Sequence, residues 1–194
     1  MNENLLSNSA YFFTEHDKQK LLSIARKSLQ SFFHIETKID DEFQFSELLN
    51  KPCGAFVSAH KQGELRGCLG VFKSEKPLYE TIAELTVSAA TCDYRFLPVQ
   101  EYELGDINLE ISVLTPMNPI QSVHEIELGK HGIYIKQGSH SGTFLPQVAT
   151  QTGWSAEEFL GHCARDKAGI GWEGWKTAKL FTYEAIVFSE NDFK

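Results

Sequence analysis

Between Asp106 and Leu114 the chain alternates without a break: Ile107, Leu109, Ile111 and Val113 fall on one side, Asn108, Glu110 and Ser112 on the other. Only a β-strand returns side chains to one face at every second residue, so this segment is a strand with an apolar and a polar face. Such a strand needs hydrogen-bonding neighbours and a layer over its apolar face. The rest of the sequence supplies both.

Gly54 to Phe72 reads as a β-hairpin with its turn around Lys61-Gln62-Gly63, where Gly63 suits the left-handed third position of a three-residue loop. Further strands are expected at His131–Lys136, at Thr143–Val148 and from Ala178 to Phe188, with Pro146 marking an edge or a strand terminus. Three helices accompany them. Thr14 caps the first with Asp17, and Leu21, Leu22, Ala25, Leu29, Phe32 and Phe33 recur at helical spacing. Pro77 opens the second, whose buried stripe is Leu78, Ile82, Leu85 and Ala89. Ser155 and Glu158 form a capping box for the third, Trp154 and Phe159 stand at the positions of a hydrophobic staple, and Gly169 closes it. Hairpin-joined strands with helices segregated among them predict an α+β fold with an antiparallel-rich sheet and packed helices.

No repeat, low-complexity tract or linker divides residues 1–194, so the chain reads as one domain. A formal net charge of −8, with Arg26, Arg66, Arg95 and Arg165 scattered and no basic run, argues against nucleic acid as a partner. No stretch approaches a membrane span, and Met1 to Leu6 lack the features of a secretory signal, so the expected location is cytoplasmic and no membrane partner is expected. In that reducing compartment Cys53, Cys68, Cys92 and Cys163 are expected as thiols.

Chemistry points to Leu65-Arg66-Gly67-Cys68-Leu69-Gly70. Two glycines weaken a strand and are often kept where something approaches the backbone. Period two sets Arg66, Cys68 and Gly70 on one face, and a guanidinium beside a thiol suits a nucleophile or metal ligand, with Arg66 also gripping an anionic group. The alternative is a small buried thiol at Cys68, a bulge at Gly67 and Gly70, and a surface ion pair at Arg66. With a Lys61–Gly63 loop, Phe56 lies opposite Cys68 and His60 lies roughly 13 Å away, too far to act as its base. Asp93 and Arg95 are either substrate-binding groups or a local ion pair that anchors their loop. Glu110 faces either a pocket or solvent.

Of the seven histidines, His162 lies off its helix's apolar stripe and is expected to be exposed, and His140 sits in a turn. His124 and His131 have no acidic, thiol or imidazole neighbour at metal-ligand spacing, so no metal site and no cofactor are expected. Trp172 and Trp175 either stack a ligand or seal a core.

The hexapeptide resembles the signature of the AMMECR family, and four further stretches are similar to that family in the same order. They are Asp93-Tyr94-Arg95-Phe96-Leu97-Pro98; Ile111-Ser112-Val113-Leu114-Thr115-Pro116; Leu145-Pro146-Gln147-Val148-Ala149 with Gly153-Trp154; and Glu158-Phe159-Leu160 with Lys167-Ala168-Gly169. Leu69 stands where Ile is usual, Tyr94 where Pro is usual, and Thr143-Phe144 where aliphatics are common. The resemblance implies a larger lobe built from both chain ends and a smaller lobe, together one domain, with the hexapeptide near the groove between them. It also implies Memo-like and radical-SAM proteins as partners, as in the microbial AmmeMemoRadiSam system. It carries no settled activity. The function expected is a cytosolic enzyme or enzyme-system component acting on a small molecule or protein partner. Cys68 and Arg66 would be its catalytic residues and Gly67, Gly70, Asp93, Arg95 and Glu110 would bind. The alternative is a non-catalytic adaptor that uses the same surface.

Overall fold

The computed structural model describes residues 13–35 and 46–194, so the reading of Met1 to Leu6 lies outside the described residues. The fold is α+β, with four α-helices and seven strands among the described residues, and every described strand pair is antiparallel. The chain divides into two compact units, residues 1–113 with 186–194 and residues 114–185. The first therefore draws on both chain ends.

In the first unit β1 (Ala55–Lys61) pairs with β2 (Glu64–Val71) on one side and β3 (Ile107–Leu114) on the other. β2 is the free edge of this sheet. α2 (Leu78–Thr91) lies on β1 and β2, and α1 (Glu15–Phe32) packs on α2. The helical stripes meet the strand alternation as their periods require. Leu21, Leu22, Ala25 and Leu29 of α1, Leu78, Ile82, Leu85 and Ala89 of α2, Ala55, Val57 and Ala59 of β1 and Ile107, Leu109, Ile111 and Val113 of β3 share one core. Thr14 and Asp17 satisfy each other's backbone N–H groups as the expected capping box. Phe32 ends α1 exposed, whereas Phe33 packs against the core. The C-terminal residues are fastened by Arg26, which pairs with Glu190 and donates to the carbonyls of Leu104 and Ile107, while Glu190 accepts the Leu109 amide at 2.9 Å.

In the second unit β7 (Lys179–Ser189, its last residues in the first unit) lies between β5 (His131–Gln137) and the short β4 (Asn118–Ile120), and β6 (His140–Phe144) pairs with β5. α4 (Ala156–His162) starts at the Ser155/Glu158 capping box and runs into a π-turn over Cys163–Lys167, closed by Gly169 at φ 67°. Phe159, Leu160, Cys163 and Ala164 pack on Ile133 and Ile135, and burial pushes the Cys163 thiol up to about 12. The expected strand through Val148 stops at Phe144: Pro146 opens a helix, α3 (Pro146–Thr152), because a missing amide costs nothing in a first helical turn. His162 is not exposed as its spacing suggested. It stacks on Trp154 at 3.8 Å between ring centroids and meets Trp172 edge-on. Among the described residues no helix is long and apolar enough to cross a membrane.

Candidate functional site

The β1–β2 turn sets the geometry of the hexapeptide. It has two residues rather than three: Lys61 pairs with Glu64, and both Gln62 and Gly63 take positive φ, the pattern of a type I′ turn. A loop shorter by one residue would flip every later β2 side chain to the other face. A bulge cancels the flip. His60 pairs with Leu65 and Ala59 with Gly67, so Arg66 has no partner on β1 and the alternation restarts beyond it. Cys68 therefore lies opposite Ser58 and Gly70 opposite Phe56, two residues out from the expected register. His60 is then one pleat from the residue facing Cys68, about 7 Å along the strand.

Both glycines have packing reasons. A Cβ on Gly67 would lie 2.1 Å from the Ala89 carbonyl oxygen of α2, and one on Gly70 would lie 2.2 Å from the Phe56 ring. The first lets the helix sit close to the strand. The second leaves room for an aromatic ring across the sheet.

Arg66, released from the alternation, is fully engaged. Its Nη1 donates to the Leu97 carbonyl at 2.6 Å, its Nη2 to the Pro98 carbonyl and to Glu103, and its Nε to Glu103. Glu103 is buried, also takes Lys61 Nζ at 3.0 Å and accepts the Gln100 amide. Arg66 foremost holds the Glu103 carboxyl down to about 2. No sequence pattern links Arg66 to a residue 37 positions on, so Glu103 was not among the expected site residues.

The guanidinium that meets Cys68 is that of Arg95. β2 is an edge strand, and the outward backbone groups of Cys68 are capped by two side chains in place of a neighbouring strand. The Asp93 carboxylate accepts the Cys68 N–H at 2.9 Å, and Arg95 Nη2 donates to the Cys68 carbonyl at 3.3 Å. Arg95 is held in turn by Nε and Nη2 bonds to Asp93. These bonds, with the Cys68 amide, keep the buried Asp93 carboxyl well below the usual carboxylate range. Asp93 and Arg95 thus form the local ion pair that anchors their loop, and about half of the Arg95 side chain stays open to solvent.

On the sheet face away from Ala55, Val57 and Ala59, the register sets Cys68, Ser58 and Glu110 in one row across three strands, with His60 opposite Asn108 in the next. Cys68 is half-buried and a free thiol. His60 Nε2 lies 3.9 Å from Glu110 Oε1, beyond hydrogen-bond reach. His60 Nε2 and Asn108 Oδ1 are both buried without a hydrogen-bond partner among the described residues. Glu110 thus belongs to a row of polar groups around a thiol, and the imidazole is near enough to join it through one bridging group. Among the described residues no group of three or more His, Cys, Asp or Glu side chains stands ready to hold a metal ion.

The model of the AMMECR1 family matches residues 22–188. The chain belongs to the AMMECR1 family. Protein MK0488 of Methanopyrus kandleri is 37% identical over 190 residues, covering 92% of this chain and 91% of its own. Protein NEQ441 of Nanoarchaeum equitans is 37% identical over 183 residues, covering 88% and 99%. The crystal structure of the uncharacterized protein PH0010 from Pyrococcus horikoshii superposes with a TM-score of 0.81 at 28% identity, over 92% of this chain and 93% of that one. In this AMMECR1 chain the matched span contains the hexapeptide, the Asp93–Pro98 loop and Glu110.

Proposed function

We propose that this AMMECR1-family chain is a cytosolic enzyme, or a subunit of an enzyme system, that works through the Cys68 thiol. Cys68 is the nucleophile, Arg95 receives an anionic group of the substrate at the strand edge, and the His60–Glu110 pair takes up the thiol proton through the substrate or a bridging water. Arg66 acts one step back, by fixing the 97–103 segment against β2. The observation that carries this reading is the setting of Cys68: a half-buried residue, its backbone pinned by Asp93 and Arg95, in one row with Ser58 and Glu110. Memo-like and radical-SAM proteins are the partners that the family resemblance supplies. The substrate is a small molecule or a segment of a protein partner.

The test is alkylation. Cys53 and Cys163 are buried, and exposed Cys92 serves as the control for access alone. Iodoacetamide at pH 7 is expected to modify Cys68 ahead of Cys92, and His60→Ala is expected to slow that reaction. Labelling of Cys68 no faster than Cys92 refutes the thiol reading.

One observation favours a second reading as an adaptor. Tyr94, Leu97 and Tyr102 are 94%, 84% and 82% exposed on the segment that clamps β2, an apolar display of the kind that docks a protein. In that case Cys68→Ser preserves partner binding and cell phenotype, while Tyr94→Ala with Leu97→Ser abolishes both. Loss of function in Cys68→Ser with binding intact rejects the adaptor.

A further inference from the structure

The second unit carries an uncompensated pair of like charges. Lys136 of β5 and Lys179 of β7 are directly opposite in the antiparallel register, two residues along from the Tyr134–Phe181 pair and on the same face. Directly opposed side chains share a face with their Cβ atoms about 5 Å apart, and like charges there destabilise the sheet. Neither ammonium forms an ion pair with a carboxylate among the described residues. This in a chain of formal net charge −8, where carboxylates are plentiful.

The same two lysines, with Gln137, Gly138, Thr177 and Phe181, line an open hollow of about 450 Å³. Phe181 forms its apolar floor and is braced by the Tyr134 ring, whose centroid lies 6.1 Å away at 57°. On the rim Gln137 Nε2 donates to Thr177 Oγ1 at 2.8 Å, and the Thr177 hydroxyl donates in turn to the Gly174 carbonyl at 3.3 Å. Two cations, an aromatic face and neutral polar groups around one hollow are complementary to a small molecule that joins an anionic group to a planar apolar body.

We propose that this hollow is a binding site for a small aromatic anion, an aryl phosphate or aryl carboxylate, whose charge lies between Lys136 and Lys179 and whose ring lies on Phe181. The site is separate from Cys68 and does not depend on the chemistry proposed there. A bound anion removes the lysine repulsion, so the empty protein carries a cost that ligand relieves. Inorganic phosphate satisfies the charges and not the ring, and it binds more weakly. Phenol satisfies the ring and not the charges, and it binds more weakly still.

Phenyl phosphate titrated into the ¹⁵N-labelled full chain, followed by amide chemical shifts, tests the proposal. Saturable shifts are expected at Lys136, Gln137, Gly138, Lys179 and Phe181, with affinity at least tenfold above that of inorganic phosphate and falling with added salt. Lys136→Met and Lys179→Met each weaken binding at least tenfold. Each also raises the unfolding midpoint of the ligand-free protein, as relief of the lysine repulsion requires. Any of three results overturns the proposal: no shifts in the hollow, equal affinity for phenyl and inorganic phosphate, or undiminished binding in the Lys179→Met protein.

Discussion

Replacing Gly67 by Ala tests whether the hexapeptide's glycines are kept for packing. The added Cβ falls 2.1 Å from the Ala89 carbonyl oxygen and 3.1 Å from its carbon, well inside van der Waals contact. That carbonyl belongs to α2, whose Leu78, Ile82, Leu85 and Ala89 are buried against the sheet, so it cannot swing aside as a flexible side chain would. Overpacking of a well-filled core costs about 1–3 kcal/mol, and a clash with fixed backbone belongs at the upper end. A loss of about 3 kcal/mol lowers the melting midpoint of a chain this size by roughly 6–12 °C. Gly105→Ala is the control: a Cβ there meets nothing within 4 Å, and its effect should stay within about 0.5 kcal/mol. Gly70→Ala is a graded case. Its Cβ meets the Phe56 ring at 2.2 Å and the Ala55 carbonyl oxygen at 2.6 Å, so Phe56→Ala restores only part of the loss. Thermal and urea unfolding of the four variants read these differences. A Gly67→Ala protein as stable as its parent refutes the packing argument and returns Gly67 to the role of admitting a ligand.

The Glu103 carboxyl lies at about 2 in the folded protein against an ordinary value of 4.5. Its contribution is therefore complete above about pH 4.5 and is lost as pH falls through 2. At about 1.4 kcal/mol per unit this amounts to at most about 3 kcal/mol. Glu103→Gln should be destabilised by about that much at pH 7, with the gap to the parent narrowing between pH 5 and 2; parallel stability-against-pH curves from urea unfolding would count against the Arg66–Glu103–Lys61 cluster. Asp93→Ala leaves the Cys68 amide and the Arg95 guanidinium without their acceptor, at a cost of about 1–3 kcal/mol. Hydrogen exchange at the Cys68 amide should accelerate selectively, and unchanged protection there would contradict the side-chain capping of the β2 edge.

Much of the fold was legible because it rests on short-range rules. The capping boxes Thr14/Asp17 and Ser155/Glu158, the stripes of α1 and α2 and the alternation of β3 all depend on residues three, four or two apart, and each recurs in the structure save for Phe32 at the end of α1. Pro146 shows where such rules tie, since proline suits both a strand terminus and a first helical turn, and only the packing of α3 in the second unit chose between them.

The site was legible in its members and not in its wiring. Sequence by itself determined that Cys68 sits on a glycine-flanked strand, that Asp93 and Arg95 share a loop and that Glu110 occupies the polar face of β3. Tertiary structure alone decided that Arg66 serves Glu103, that Arg95 replaces it beside Cys68 and that Ser58 and His60 stand in the adjoining positions. The physical reason is register: a one-residue change in a turn inverts a whole strand face, a bulge inverts it back, and neither change is written in the residues whose neighbours it exchanges.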